Sequence, residues 1–149
     1  MMTKVTDQLY ISDWYDAQLL KTANPETITA VLNVCEQEDG LAAMHWMKYL
    51  HVPFPDGQPI PRERFDKCMN WLSDRYKTKG RILIHCDTGL SRSATLCAAF
   101  LAHAKVVSGI ADGYTLVKKA CIQASPSILL YSSAAVYVSK TTTHNIWEK

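Results

Sequence analysis

The sequence lacks several features that define large classes of protein. No apolar run approaches the roughly 18 residues that a membrane-spanning helix needs, and residues 1–7 show no charged segment followed by an apolar core. The five cysteines form no Cys-x-x-Cys pair, and their odd number favours neither a disulfide framework nor a zinc site. The net charge is only +2, so no broad basic field indicates nucleic acid or an anionic membrane as a partner. We therefore expect a soluble intracellular protein in which any anion site is local.

The 149 residues show no internal repeat and no low-complexity segment. A chain of this length is expected to form one domain with a substantial core. We therefore predict a single domain over residues 1–149.

Apolar patterns along the chain predict alternating strands and helices, followed by helices alone. The predicted strands are 8–12, 28–34, 49–53 and 82–84. The predicted helices are 14–21, 61–79, 94–103, 112–119 and 127–140, with a helical turn or two near 41–46. This order indicates an α/β fold with a small mixed central sheet of four to five strands flanked by helices.

The segment 81–93 reads Arg-Ile-Leu-Ile-His-Cys-Asp-Thr-Gly-Leu-Ser-Arg-Ser. Its apolar start predicts a short buried strand, and a helical pattern begins directly after the turn around Gly89. A tight loop between a strand and a helix N-terminus directs several backbone N–H groups and the positive end of the helix dipole toward one point. We therefore predict an anion site formed by residues 86–92.

Two side chains of this loop indicate which anion it would bind. A thiol at a helix N-terminus and near a guanidinium ionises more readily than a free cysteine, which makes Cys86 a candidate nucleophile. Arg92 can present two parallel N–H groups to two oxygens of a tetrahedral oxyanion. Phosphate fits both features best. The structural alternative is a buried cysteine that happens to precede an arginine.

The run His85-Cys86-Asp87-Thr88-Gly89-Leu90-Ser91-Arg92-Ser93 resembles the signature loop of the cysteine-based phosphatases of the protein tyrosine phosphatase superfamily. Its Ser-Arg-Ser ending is most similar to the dual-specificity branch. The resemblance implies a phosphocysteine intermediate on Cys86, phosphate binding by the loop and by Arg92, and a Ser93 hydroxyl that helps the thiolate to leave. It implies a supporting role for His85, which would bond the loop backbone and orient Cys86. We call residues 86–92 the signature loop.

A nucleophile that attacks a phosphate ester needs a proton donor for the leaving oxygen. Asp56 is the leading candidate, because the resemblance places the general acid about thirty residues before the cysteine on a separate loop. The alternative for Asp56 is an ordinary Asp-Gly turn. Asp39 and Asp66 are rivals for the same role, but Asp66 falls within a predicted helix and Asp39 lies farther from the expected spacing.

Cys35 directly follows a predicted central strand, at the edge of the sheet where the signature loop should also lie. A neighbouring thiol can condense with an oxidised cysteine and so prevent irreversible oxidation. The lipid-phosphatase relatives of the family place a cysteine in a similar Asn-x-Cys context and use it in this way. Cys35 is therefore a candidate redox partner of Cys86, and a small buried hydrophobic side chain is the alternative.

The resemblance covers roughly residues 5–137, and it has departures. The family usually has Arg then Pro where this chain has Cys121 and Ile122, and Asn where it has Ser127. These positions support the signature loop from behind, so the departures concern the rigidity of the loop.

These features favour a phosphatase that hydrolyses phosphotyrosine, phosphoserine and phosphothreonine esters in proteins. The alternatives are a lipid or RNA phosphatase on the same loop, a sulfurtransferase, and a catalytically weak phosphate-binding module. The uncharged or acidic Asp87, Thr88 and Leu90 argue against a polyphosphorylated substrate. We expect a monomer without cofactor or metal, whose partner is a phosphorylated protein rather than nucleic acid or membrane. The expected location is the cytoplasm, and the nucleus is the alternative.

Overall fold

The computed structural model describes residues 2–147, and for 141–147 it describes the backbone alone. One five-stranded sheet runs in the order β1-β2-β5-β3-β4. The strands are β1 Thr3–Lys4, β2 Leu9–Ser12, β3 Ala30–Asn33, β4 Lys48–His51 and β5 Ile82–His85. The helices are α1 Trp14–Gln18, α2 Arg62–Lys77, α3 Arg92–His103, α4 Ile110–Ala120 and α5 Ile128–Trp147, with short 3-10 turns at Leu19–Lys21 and Leu41–Ala43.

The register of the sheet determines where functional residues can meet. β5 pairs in parallel with β2 and with β3, and β3 pairs in parallel with β4. His85 is thereby opposite Ser12 on one side and Asn33 on the other. Because the carboxyl ends of parallel strands share one edge, the loops that follow β2, β3, β4 and β5 all leave from that edge.

The sheet is buried on both faces, but the two layers differ in size. The larger core lies between the sheet and helices α2 to α5, and the smaller one lies on the opposite face beneath α1 and the 3-10 turns. Side chains alternate between these layers along each strand. In β5, Ile82 and Ile84 belong to the larger core and Leu83 belongs to the smaller one.

Helix α3 is buried nearly all round, as the apolar pattern of 94–103 predicts. It packs most extensively against α4, and the two backbones touch at Gly113. A Cβ atom on Gly113 would lie 2.3 Å from the carbonyl oxygen of Ala98, so only glycine permits this approach. The helix that begins at Arg92 is thus held rigidly at the centre of the molecule.

The predicted α/β architecture is confirmed, with five strands and five α-helices among residues 2–147. Strand β1 was not predicted, because two residues are too short for a periodic pattern to register. The predicted helix 14–21 becomes α1 followed by a 3-10 turn, and α5 continues past the predicted end at Lys140 to Trp147. No helix in the described part of the chain is long and apolar enough to cross a membrane.

Candidate functional site

The signature loop connects β5 to α3 and curls around the sulfur of Cys86. The backbone N–H of Gly89 lies 3.2 Å from Cys86 Sγ, and the Ser93 hydroxyl oxygen lies 3.4 Å from it. The Cys86 side chain is 1 % exposed, and Ser93 in the first turn of α3 is fully buried. A nucleophilic sulfur in this position would be surrounded by hydrogen-bond donors at a helix N-terminus.

The loop is held from behind by the junction between β2 and α1. Trp14 donates its backbone N–H to Asp87 O at 3.1 Å, and Cys86 donates to Ser12 O at 3.4 Å. Gly89 has a φ of +76°, and a Cβ atom there would lie 2.8 Å from the backbone nitrogen of Asp13. Both the left-handed conformation and the close approach therefore require glycine at this position.

Arg92 is the first residue of α3 and is 7 % exposed. Its Nη1 donates a hydrogen bond of 2.9 Å to the carbonyl oxygen of Phe54 and lies 3.8 Å from a carboxylate oxygen of the exposed Glu36. An arginine carries five N–H donors, so these contacts leave others for an oxyanion. The bond to Phe54 also ties the guanidinium to the loop that carries Asp56.

Asp56 lies on the loop between β4 and α2, which we call the Asp56 loop (residues 52–61). Its Oδ1 accepts hydrogen bonds from the Ser91 hydroxyl at 2.7 Å and from the Gly57 backbone at 2.9 Å. The Ser91 oxygen in turn accepts the backbone N–H of Ser127 at 3.2 Å. The exposed carboxyl group is therefore next to the signature loop, joined to it through one serine hydroxyl.

His85 pairs with Asp39 beneath the signature loop. Nε2 of His85 lies 2.6 Å from Asp39 Oδ2, and both side chains are completely buried. Burial alone would raise the pKa of Asp39, but hydrogen bonds from His85 and from the Leu41 backbone outweigh that effect and hold the pKa below its usual value. An ionised Asp39 can only accept, so Nε2 of His85 carries the proton of this bond.

Cys35 lies near the other ring nitrogen of His85. Its Sγ is 4.0 Å from His85 Nδ1 and 2.8 Å from Asn33 Oδ1, to which the thiol donates. Burial raises the pKa of the Cys35 thiol to about 11; Arg92 opposes the increase, whereas Cys86 and Asp39 add to it. Cys35 is therefore a protonated, hydrogen-bonded thiol in the electrostatic neighbourhood of Cys86.

The segment in which the chain departs from the family pattern still contacts the signature loop. Ser125 donates its backbone N–H to Leu90 O at 2.7 Å, and Ser127 bonds Ser91 through its own backbone. Cys121 lines a small cavity of about 170 Å³ beside Thr88 and Gly89. The loop is thus supported here by the backbone N–H groups of Ser125 and Ser127, and Ser127 supplies its own as well as another residue would.

The structure brings Cys86, Gly89, Arg92, Ser93 and Asp56 to one place. The rivals for the acid are located elsewhere: Asp39 is buried against His85, and Asp66 on α2 contacts Arg62 and the Tyr137 hydroxyl. Within the described residues, no group of three or more His, Cys, Asp or Glu side chains could hold a metal ion.

Sequence reasoning missed three contacts of the site. The carboxylate of Glu36 and the carbonyl of Phe54 both approach Arg92, and the Ser91 hydroxyl joins Asp56 to the loop. Sequence reasoning also assigned His85 to the loop backbone, whereas the structure places its ring between Asp39 and Cys35. A sequence does not show where a backbone carbonyl group points. Glu36 lies in a polar run in which no pattern distinguishes it from its neighbours.

The sheet, helix α3 and the loop that carries Cys86 place the chain in a class of α/β proteins with a cysteine in the loop between a central strand and a buried helix. Residues 9–133 match the family model described as dual specificity phosphatase, catalytic domain, and the chain belongs to this family. The predicted family membership is thereby confirmed.

Relatives and solved structures agree with this assignment. Mouse dual specificity protein phosphatase 18 is 32% identical over 119 residues, covering 78% of this chain and 62% of that protein. Human dual specificity protein phosphatase 15 is 28% identical over 102 residues, covering 68% of this chain and 34% of that protein. The chain therefore spans between about a third and three-fifths of the length of these relatives.

The similar solved structures share the fold over nearly the whole chain. The crystal structure of DUSP15 has a TM-score of 0.83 at 24% identity and covers 99% of this chain and 96% of that one. The crystal structure of human DUSP28 has a TM-score of 0.78 at 22% identity and covers 95% of each chain.

Proposed function

We propose that this protein hydrolyses phosphotyrosine and phosphoserine or phosphothreonine esters of proteins through a phosphocysteine intermediate on Cys86. One observation carries the proposal: the Cys86 sulfur, the loop backbone, Arg92 and Asp56 are connected by short contacts at the N-terminus of α3. Family membership supports the same activity.

In the first proposed step, the Cys86 thiolate attacks phosphorus and the bond to the ester oxygen breaks. Asp56 gives its proton to that oxygen, so the product leaves as a neutral alcohol or phenol. Backbone N–H groups of the loop and the Arg92 guanidinium stabilise the charge on the equatorial oxygens of phosphate. Ser91 holds the Asp56 carboxyl next to the loop before substrate arrives.

In the second proposed step, water attacks the phosphocysteine and the phosphorus–sulfur bond breaks. Asp56, now ionised, accepts a proton from the water, and inorganic phosphate is released. The Ser93 hydroxyl, 3.4 Å from Cys86 Sγ, donates a hydrogen bond to the departing thiolate. The two steps together return every group to its starting form.

The charge of the loop favours protein substrates over lipids or RNA. Asp87, Thr88 and Leu90 add no cation around the anion site, and a substrate with several phosphates would gain from lysine or arginine there. Glu36 also lies near Arg92 and would oppose additional negative charge.

We further propose that residues 1–149 act as one catalytic unit, as a monomer, in a reducing compartment such as the cytoplasm or nucleus. All five cysteines are free thiols, and four of them are buried. Free thiols persist in reducing compartments.

Turnover of an aryl phosphate by the purified protein and by Cys86→Ser tests the activity. We expect the serine variant to lose turnover, because its hydroxyl is not ionised, and still to bind vanadate or tungstate in the loop. The wild type should accumulate acid-stable phosphocysteine when it is quenched during turnover. Turnover by Cys86→Ser near the wild-type rate would refute the nucleophile, and oxyanion binding without wild-type turnover would favour a phosphate-binding module.

A further inference from the structure

An apolar groove of about 370 Å³ lies between the Asp56 loop and helix α5. Its lining combines apolar side chains with two cationic ones and two serines. The lining includes Pro59, Ile60, Arg62, Leu129, Val136 and Lys140. The proposed catalytic steps make no use of this groove.

Helix α5 presents two apolar stripes, of which the core uses one. Leu130, Ala134 and Val138 are buried against the larger core. Leu129 and Val136 lie two turns apart on the groove side, and each is 52 % exposed. A folded protein leaves such a stripe in water at a cost, so apolar side chains aligned along a concave surface indicate a binding site.

Both walls of the groove are continuous with the signature loop. Ser91 bonds Asp56, on the loop that forms one wall, and Ser127, which directly precedes the helix that forms the other. Further along, the Ile60 backbone donates to the Ser133 hydroxyl at 3.0 Å and joins the two walls. Pro59 follows Asp56 by three residues, so its Cα lies within about 11 Å of the Asp56 Cα. A peptide held by its phosphate in the loop can therefore reach the groove.

The far end of the groove is cationic. Lys140 lines it about one helical turn beyond Tyr137, and the Arg62 guanidinium lies 6.0 Å from the centre of the Tyr137 ring. Asp66 is 4.0 Å from Arg62 Nε and offsets part of its charge. From Leu129 to Lys140 the helix rises about 16 Å, which is the length of roughly five extended residues. The groove is thus apolar near the signature loop and basic at its far end, roughly five extended residues farther along.

We propose that this groove binds the substrate segment that flanks the phosphorylated residue, and that it selects an apolar residue followed by acidic ones. The proposal rests on the proposed phosphatase function and specifies its substrates. The apolar residue would lie three or four positions from the phosphorylated one, against Leu129 and Val136. The acidic residues would lie about five positions farther on, near Lys140 and Arg62.

Phosphotyrosine peptides of equal composition test the proposal. One peptide carries leucine and two glutamates at these positions, and its partner carries the same residues scrambled; a second pair covers the opposite chain direction. We expect one ordered peptide to exceed its scrambled partner in kcat/KM by about tenfold. Leu129→Ser and Val136→Ser should remove that advantage, and Lys140→Glu should reduce it.

Two control variants and an aryl phosphate substrate show whether a change in peptide preference is specific to the groove. Leu19→Ser changes an apolar side chain that is 58 % exposed on the 3-10 turn after α1, outside the groove, and Lys119→Glu reverses an exposed charge on α4. Both should keep the peptide preference. An aryl phosphate is too short to reach the groove, so its turnover should be unchanged in all five variants.

Several results would overturn the proposal. One is equal kcat/KM for the ordered and the scrambled peptides. Another is a loss of aryl phosphate turnover in the groove variants as large as their loss of peptide turnover. A third is a concentration-dependent dimer that Val136→Ser abolishes, which would assign the groove to a second copy. If the wild type turns over no phosphate ester, the proposed function fails instead. The groove is then judged by fluorescence anisotropy, which should show tighter binding of the ordered peptide to wild type than to Leu129→Ser.

Discussion

His85 and Asp39 form a buried hydrogen-bonded pair, with 2.6 Å between Nε2 and Oδ2, directly before the nucleophile candidate Cys86. The carboxylate also accepts the Leu41 backbone N–H at 2.9 Å, so it joins β5 to the loop that follows β3. The pair holds the last residue of β5 in a fixed orientation. Its loss should therefore affect the stability of the whole site.

We expect Asp39→Asn to lower the free energy of unfolding by about 1–3 kcal/mol, because a buried donor or acceptor loses its best partner. Thermal unfolding of wild type and variant at neutral pH measures this loss. Asp7→Asn is the control, since that carboxylate is 94% exposed and pairs with Lys4 at the surface. An equal effect at both positions would contradict the role of the buried pair.

The same pair predicts how stability depends on pH. Folding lowers the pKa of Asp39 below its ordinary value of 3.8, so the folded state favours the carboxylate. Its contribution is complete above about pH 4 and is lost as the pH falls through the folded-state value. The stability difference between wild type and Asp39→Asn should therefore be constant near neutral pH and shrink below about pH 4. A difference that grows on acidification would reverse the assignment.

Asp56→Asn should lower kcat by about 10² to 10⁴ and remove the basic limb of the pH profile, because an amide cannot donate the proton. Binding of tungstate should change little. Substrates with good leaving groups need less protonation and should lose less rate. An unchanged pH profile would exclude Asp56, and with Asp39 buried and Asp66 remote, the proton would then have to come from water.

Arg92→Lys should lower kcat/KM by about 10² to 10³, because a point charge on a flexible stem cannot replace the planar guanidinium. The variant also loses the bond to Phe54 O that ties the Asp56 loop to α3. Arg81→Lys is a suitable control, since that arginine is exposed and bonds Glu26 O away from the site. Steady-state kinetics at a fixed pH compare the two, and wild-type kcat and KM in Arg92→Lys would refute its role.

Mild peroxide should convert the Cys86 thiolate to a sulfenic acid, and attack by Cys35 should then form a disulfide and release water. The attacking group is the thiolate of Cys35, and burial raises the pKa of this thiol to about 11. In the test, the protein is oxidised at one fixed pH and then transferred to a series of other pH values. The rate of disulfide formation should rise about tenfold for each unit by which the pH is raised, as long as it stays below that pKa. Non-reducing peptide maps report the crosslink, and Cys121→Ser is the control.

Two outcomes would exclude Cys35 as the redox partner. One is recovery of Cys35→Ser from peroxide with added thiol as complete as that of wild type. The other is a non-reducing peptide map without a Cys35–Cys86 crosslink, whereas a crosslinking rate that does not change with pH would contradict attack by the Cys35 thiolate.

The sequence contained enough to predict the sheet, the helices and the signature loop, because each depends on local patterns. Ile82–His85 and the glycine at 89 define a strand and a turn without reference to the rest of the chain. The choice of Asp56 as the general-acid candidate came from the family resemblance, which places that acid about thirty residues before the cysteine. These predictions needed no knowledge of distant contacts.

The pair of His85 and Asp39 could not be predicted, because its partners are 46 residues apart and meet only through the 3-10 turn at Leu41. The link from Asp56 through Ser91 to Ser127 depends on two loops that the sheet brings to one edge and on the connection between α4 and α5. The second apolar stripe of α5 was hidden for a different reason. Since both stripes are apolar, the sequence pattern could not separate the side that is buried from the side that is exposed.

The unequal layers of the sheet have a consequence for how the molecule comes apart. His85 shares its face of β5 with Leu83, so it points into the smaller layer, where Leu41 also packs. This layer buries less apolar surface and should open at a lower urea concentration than the helical layer. Catalytic activity would then be lost while the helical circular dichroism signal is still intact. The partly unfolded molecule would retain its helices but not its activity.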